Sequence, residues 1–341
     1  MQTVLKACEL LSDELLLKMY REMVLARLFD SAMVKLQRAG KVAAYTSSEG
    51  QEAVSVAAVN AASPLDWIFP TYRETGAFIA RGVPLETLIA RQLGRVGDPL
   101  KGHEVLLFGD KRYRIVTGPG PVAAHIPVAV GFGYAARRKG EDCVMLVFFG
   151  DGATSKGDFH EGLNVAGVFK TPTVFICQNN QYAISVPRHQ QTASETIAVK
   201  AEAYGFEGVT VNGNNIEEMY KIVSRAVEKA RNGEGPTLIE AITYRLAAHS
   251  TADDPTKYRT VQEVEMWRSQ DPITICRKLL IEKNLLSDEK DNQLWTSLRQ
   301  MLEQKIEEVE KTPIIPPMSI FEDVYSTPPW HLREEFSDVN L

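Results

Sequence analysis

Cys143-Val-Met-Leu-Val-Phe-Phe149, then Gly150-Asp151-Gly152, and further on Thr173-Val-Phe-Ile-Cys177 running into Gln178-Asn179-Asn180-Gln181-Tyr182: this stretch decides the fold. The first run is continuously apolar and rich in β-formers, which reads as a strand buried on both faces. Gly150 and Gly152 flank Asp151, so the chain can turn sharply and bring its backbone close to a ligand. From about 157 to 169 the apolar residues Phe159, Leu163, Ala166 and Val168 fall at helical spacing, until Thr171-Pro172 stops the helix. Thr173 to Cys177 is then a second short buried strand. The unit is β-α-β, and its crossover sets the carboxyl ends of two parallel strands side by side. Asp151 and Asn180 therefore come to the same sheet edge.

A carboxylate, an amide oxygen and a main-chain carbonyl suit a hard divalent cation that keeps other positions for water or phosphate. The glycine turn leaves room for a diphosphate, and the following helix offers it a positive end. The open edge of an α/β sheet is where such ligands bind. The competing reading is a tight turn in which Asp151 caps the helix and Asn180 belongs to another turn. For an isolated Gly-Asp-Gly that reading wins; the paired strand ends and the Asn179-Asn180 spacing reverse the order.

Gly150-Asp151-Gly152 followed by Asn179-Asn180 resembles the thiamine-diphosphate motif. The longer segments, residues 150–164 and Asn179-Asn180-Gln181-Tyr182-Ala183-Ile184-Ser185, resemble the alpha subunit of the decarboxylating component of 2-oxoacid dehydrogenase complexes. The likeness runs from about residue 10 to the end and leans to the branched-chain type over the pyruvate type. It implies a thiamine-diphosphate-binding α/β fold: a central, mostly parallel sheet with helices on both faces. It further implies a single domain over 1–341, a helical N-terminal arm at about 10–40, and a helical C-terminal region with a partner-contacting tail at about 312–341.

Composition bounds the answer independently. The 341 residues, 44% apolar and 24% charged, are those of an ordinary globular protein. A net charge of -6 leaves no footprint for nucleic acid or an anionic membrane. No apolar run approaches a membrane span, and residues 1–10 have neither signal-peptide nor transit-peptide layout. Cys8, Cys143, Cys177 and Cys276 are scattered without metal-ligand spacing, so a cytoplasmic protein with reduced thiols is expected.

Along the chain, Ser12-Asp13-Glu14 opens a long helix with Leu17, Tyr20, Val24 and Leu28 on one face, ended by Gly40. Its apolar residues on several sides fit either core packing or a partner. Ser48 to Ala53 begins a second helix and resembles a segment of the family, the competing reading being a plain helix N-terminus with Ser48 as cap. Family members carry a bulky residue at Ser48, beside the substrate pocket, so Tyr45–Ser48 bear on substrate choice. Tyr72-Arg73, read alone, is as good a surface ion pair with Glu74 as a phosphate clamp. The resemblance makes the pair a contact for the cofactor's diphosphate. The glycine-bearing loop at 94–114 has Leu106-Leu107-Phe108 where the family carries a histidine, and His103 is out of register with it. In Thr117–His125 free main-chain groups could bond an aminopyrimidine, and the family uses the positions of Gly120 and Val122 for this. Branched-chain members also hold a monovalent cation there through hydroxyl and amide side chains. Ala124 and His125 in those places speak against potassium, and His125 reads as a capping or interface residue.

Beyond the central unit, 208–212 and 237–245 read as strands around a helix at about 216–232 with Asn214-Asn215 as its cap, giving a parallel sheet covered on both faces. Ala248–Arg259 is a polar loop after a strand end, where function tends to sit. A lone histidine there is first a bystander. The loop resembles the family's mobile active-site loop, in which the position of His249 reaches the cofactor and supports acyl transfer, and Ser250 matches a serine that a kinase modifies in animal members. From Thr260 on the chain is amphipathic helix, including about 294–311, broken at Pro313–Pro317 and followed by a tail with exposed aromatics that suggests partner contact.

The resemblance thus implies an oxidoreductase acting on 2-oxo acids with a lipoyl acceptor. The implied cofactor set is Tyr72, Arg73, Gly120, Val122, Gly150, Gly152, Ala153, Gln178 and His249, with His249 catalytic. Mg2+ would be held by Asp151, Asn180 and Tyr182. The pyrimidine half would come from a beta subunit in an α2β2 heterotetramer, and the acyl group would pass to the lipoyl domain of an acyltransferase core. A pyruvate or acetoin dehydrogenase alpha subunit is the alternative within the class; a non-catalytic scaffold of the same fold is the alternative outside it. A Rossmann dehydrogenase lacks support, because no Gly-x-Gly-x-x-Gly follows an early strand.

Overall fold

The computed structural model describes residues 11–104 and 106–339; Cys8 and the leader-type reading of residues 1–10 lie outside these. In chain order come α1 (Asp13–Arg38), α2 (Glu52–Asn60), strand β1 (Trp67–Phe69), α3 (Thr75–Ala80), α4 (Leu85–Leu93) and α5 (His125–Lys139). The central unit follows as β2 (Met145–Gly150), α6 (Gly157–Phe169) and β3 (Thr173–Asn179), trailed by a small hairpin β4 (Tyr182–Ala183) and β5 (Val186–Pro187) and by α7 (Arg188–Gln191). Then come β6 (Glu207–Asn212), α8 (Ile216–Arg231), β7 (Thr237–Ile242), α9 (Val261–Arg268), α10 (Pro272–Glu282), α11 (Asp288–Glu310) and α12 (Trp330–Val339).

The main sheet has the order β1-β2-β3-β7-β6, and all its neighbouring pairs are parallel. The apolar runs are continuous because successive residues feed two cores. Val144, Leu146 and Phe148 enter the cluster that includes α1, α2 and α8, whereas Met145, Val147 and Phe149 enter the one formed with α5 and α6. In β3, Val174 and Ile176 face the first core and Phe175 and Cys177 the second. With both faces covered, no position in these strands can be polar without a partner.

All five parallel strands release their chains at one edge, and four of the exits bear on the site. Thr71–Glu74 follows β1, Gly150-Asp151 ends β2, Asn179-Asn180 ends β3, and Thr243–Arg245 follows β7. The register pairs Gly150 with Gln178 and Asn179 with Ile242, so the exits lie level with one another. This edge is where an open α/β sheet binds ligands.

Several expectations are corrected. α2 starts at Glu52, and Ser48 caps nothing, because its side chain is spent on Asp30. On α6 the buried face is Phe159, Gly162, Leu163 and Ala166, while Val168 is 67% exposed. A Cβ at Gly162 would meet Ile126 of α5, so a glycine holds the close crossing where an apolar residue was sought. β7 ends at Ile242; beyond it the Thr243 N–H still donates to the Asn179 carbonyl, while the Thr243 hydroxyl and the Arg245 guanidinium turn to residues around the site. α11 begins at Asp288 with Ser287 as cap, earlier than expected. β1, too short to show periodicity, and α12 in the tail were not anticipated.

α1 keeps its expected limits, with the Ser12 hydroxyl accepting from the Leu15 N–H. Its buried residues lie on nearly every side, packed within this chain against α2, α3, α10 and α11. Core packing thus accounts for its apolar surface. In the tail Ile320, Val324, Tyr325 and Trp330 are more than half exposed, as expected. Among the described residues no helix is long and apolar enough to cross a membrane.

Candidate active site

A cavity of about 250 Å3 opens at the carboxyl edge of β1, β2 and β3. Of the residues singled out in the sequence, it brings together Tyr72, Arg73, Val122, Gly150, Asp151, Gly152, Ala153, Gln178, Asn180, Tyr182 and His249. Gly120 is exposed and lies outside the lining.

Asp151 opens a single 3-10 turn (Asp151–Ser155) and is fully buried, with Oδ2 unpartnered. It does not cap α6. Burial pushes its carboxyl up to about 6, against the opposing pull of backbone donors and Arg245. The Asn180 amide oxygen points at Asp151 Oδ1, 3.3 Å away, and at the Tyr182 carbonyl oxygen, 3.1 Å away. Three oxygens so placed repel unless a cation lies among them. Without one, turning the amide over lets its NH2 donate to both. Among the described residues no cluster of three or more His, Cys, Asp or Glu side chains could hold a metal. The donor set here is instead one carboxylate, one amide and one carbonyl, which fits a hard cation sharing its shell with phosphate and water.

Arg73 is buried and is not paired with Glu74, which corrects the surface-pair alternative. Its Nη1 donates to the Ser47 carbonyl at 2.6 Å and its Nη2 to the His249 carbonyl at 2.8 Å, with His249 Nδ1 3.3 Å away. The guanidinium carbon sits 5.3 Å from the Tyr72 ring centre, and the Tyr72 and His249 rings meet edge to face. Glu74 points the other way, fully buried, accepting from Thr71, from the Arg73 N–H and from the Gln178 amide at 2.6 Å. That bond fixes the Gln178 amide, leaving its Oε1 as an unpartnered acceptor in the cavity wall.

His249 is half-buried rather than a solvent bystander. Its N–H donates to Asp253 Oδ2 at 2.8 Å, and Asp253 also accepts from the Tyr258 hydroxyl. Burial, then the nearby Arg73 and Arg245, lower the imidazole to about 4, so it is neutral at pH 7. His125, at the first turn of α5, is a buried neutral imidazole and no cap. Its Nε2 donates to the Phe148 carbonyl at 2.7 Å and Nδ1 is unpartnered, with burial holding the ring below its ordinary range.

Arg245 and Gln51 are among the cavity residues that sequence reasoning passed over. Arg245 is among the most buried side chains, donating to the carbonyls of Tyr182 at 3.1 Å and Ile184 at 2.6 Å. Gln51 lies within 3.0 Å of the Asn180 amide. The signal for Arg245 was available, namely a charged residue directly after a buried strand on the edge that carries the site. Gln51 stands in a segment, Ser48–Ala53, that resembles the family's, but only the packing of α2 brings it to Asn180.

Residues 20–318 match the dehydrogenase E1 component family. The chain is 42% identical to the 2-oxoisovalerate dehydrogenase subunit alpha of Bacillus subtilis, over 93% of this chain and 97% of that one. It is 42% identical to the 3-methyl-2-oxobutanoate dehydrogenase subunit alpha of Mycobacterium tuberculosis, covering 84% of that chain. It is 36% identical to the mitochondrial 2-oxoisovalerate dehydrogenase subunit alpha of Homo sapiens, covering 74% of it.

Proposed function

The chain belongs to the dehydrogenase E1 component family, a family of thiamine-diphosphate enzymes, and we propose that it is the alpha subunit of a branched-chain 2-oxoacid dehydrogenase. The observation that carries the reading is the meeting, at one sheet edge, of the Asp151–Asn180–Tyr182 oxygens with the Arg73–His249 pair. When bound, thiamine diphosphate would supply the carbon nucleophile that adds to the 2-oxo group and takes up the electron pair left by decarboxylation.

This chain's residues would do the holding. Asp151, Asn180 and the Tyr182 carbonyl would take Mg2+, while the turn at Gly150–Ala153 leaves the backbone free to approach the diphosphate. Arg73 would face the diphosphate charge, and Tyr72 would stack against Arg73. Gln178, held by Glu74, would accept from a donor in the cofactor's shell, and Gly120 and Val122 would offer main-chain groups to the aminopyrimidine. His249, neutral and tied to Arg73, would contact the cofactor and serve acyl transfer.

A beta subunit in an α2β2 assembly is part of the proposal. The cavity is smaller than the ~300–1,000 Å3 of a complete small-molecule site, in keeping with a second chain closing it. Beside it, Val122, Val128, Phe132, Val165, Val168 and Ile184 are each at least 40% exposed, an apolar face that suits an obligate partner. The acyl group would leave to the lipoyl domain of an acyltransferase core. A cytoplasmic setting belongs to the same reading, since Cys143, Cys177 and Cys276 are free and buried.

The test is dye reduction by the chain purified with its beta partner, Mg2+ and thiamine diphosphate, comparing 2-oxoisovalerate with pyruvate at matched concentrations. Preference for the branched acid is expected. Preference for pyruvate would overturn the substrate assignment, and failure to bind cofactor would overturn the enzyme assignment.

A further inference from the structure

Asp30 lies on α1, away from the cofactor cavity, and is 2% exposed. No basic group pairs with it among the described ion pairs. Its oxygens accept instead from the Tyr45 hydroxyl at 2.5 Å, the Ser47 hydroxyl at 3.0 Å, the Ser48 N–H at 2.5 Å and the Ser48 hydroxyl at 2.8 Å. A buried carboxylate is tolerated only when donors replace its water, and all four donors come from one short loop, 45–48.

That loop in turn touches both halves of the diphosphate clamp. The Ser47 carbonyl accepts from Arg73, and the Thr46 hydroxyl donates to the Tyr72 carbonyl at 2.8 Å. Tyr45 exchanges bonds with Thr251: its N–H donates to Thr251 Oγ1 at 3.2 Å and its carbonyl accepts from the Thr251 N–H at 3.0 Å. Thr251 stands two residues beyond His249. The loop therefore has an anchor at Asp30 and two outlets, one to Arg73 and one to the His249 segment.

We propose that Asp30 is a positioning residue for the cofactor site: it anchors loop 45–48 so that Arg73 and the His249 segment are set together before the cofactor arrives. The inference rests on the functional reading above, in which Arg73 faces the diphosphate. Fixing both partners in advance removes ordering cost from the binding step, which is how a remote buried group raises affinity without touching the ligand. A carboxylate that only filled a polar niche in the core would stabilise the fold and leave cofactor affinity alone.

The experiment uses the alpha–beta pair as wild type, Asp30→Asn, Ser47→Ala and Arg73→Ala. Thiamine diphosphate affinity is read by tryptophan fluorescence with Mg2+, deuterium uptake of residues 246–259 without cofactor, and Tm. Asp30→Asn is expected to weaken binding roughly ten- to hundredfold, as for one or two lost bonds to a charged group. It should also raise uptake across 246–259. Ser47→Ala keeps the carbonyl that holds Arg73 but frees the side chain from Asp30, so it should shift both readouts in the same direction by less. A fall in Tm with wild-type affinity and wild-type uptake would overturn the proposal. Should Asp30→Asn fail to fold, unchanged affinity in Ser47→Ala would overturn it equally. No binding by the wild-type pair would remove the functional reading and this proposal with it. Binding by wild type, loss in Arg73→Ala and no change in Asp30→Asn would remove the proposal alone.

Discussion

Arg73 Nη2 donates to the main-chain carbonyl of His249 at 2.8 Å and lies 3.3 Å from its ring nitrogen Nδ1. A residue that follows the first strand of the sheet thereby holds a loop that follows the last strand in sequence. A ligand bound on the guanidinium would therefore act on the order of the loop, and this joint makes both measurable.

Arg73→Ala should abolish that joint. The Ser47 and His249 carbonyls lose a charge-assisted donor, which costs about 1.5–3 kcal/mol per bond. Cofactor affinity should fall on the order of a hundredfold, and residues 249–259 should become open to limited proteolysis. Arg73→Lys should recover less than half of the loss in free energy, because one ammonium cannot span both carbonyls. Full recovery by lysine would show that charge alone matters.

His249 gives a pH signature. Its folded-state value of about 4 lies below the ordinary one near 6.5, so between those values the unfolded chain binds more protons. Stability contributed by the neutral ring is whole above pH 6.5 and is lost as pH falls towards 4. The Tm of the wild type should therefore drop more steeply from pH 7 to 5 than that of His249→Gln. Parallel curves would mean that the ring is not shielded.

Asp151→Asn should separate stability from function. The carboxyl is pushed up to about 6 by burial, so its charge at pH 7 weighs against the cofactor-free fold. Removing that charge should leave the apo protein equally stable or more stable by about 1–2 kcal/mol. Wild type should gain Tm with Mg2+ and thiamine diphosphate, as any ligand of the native state confers, and the variant should gain none. Retained Mn2+ binding in the variant would dismiss the metal assignment.

Phe132→Glu with Val168→Glu tests the apolar face on α5 and α6. Both side chains are more than 40% exposed, but Phe132 also packs edge to face on Trp67 and Phe69, so the free alpha chain should lose less than ~0.5 kcal/mol at Val168 and about 1–2 kcal/mol at Phe132. Co-purification with the beta subunit should be lost, since two carboxylates would be buried without partners. An intact complex would place the partner elsewhere.

The β-α-β unit was legible because its signals are local. Apolar runs in β2 and β3, the glycine turn and Pro172 each act within a few residues, and burial on both faces leaves the sequence one reading. The cavity wall was legible where it follows a long strand, as at Asp151 and Asn180, whereas Tyr72 and Arg73 were reached only through the family resemblance, because β1 is too short to show periodicity. Ser48 stayed open between two readings because a serine before a helix is a cap by default, and only the approach of α1 turns its hydroxyl to Asp30. Val168 misled because helical spacing does not say which of two apolar stripes is inward.

The sequence by itself determined the strand-helix alternation, the metal-type donor pair at one sheet edge and the family, all of which rest on short-range spacing. Only the tertiary structure decided what the Arg73 guanidinium holds, that Glu74 takes the Gln178 amide instead of that guanidinium, and that Asp30 stands behind the loop on which Arg73 bonds. Those partners lie up to 176 positions apart, as Arg73 and His249 do. Which buried donor meets which buried acceptor is set by how helices and loops pack around the sheet, and no local pattern encodes it.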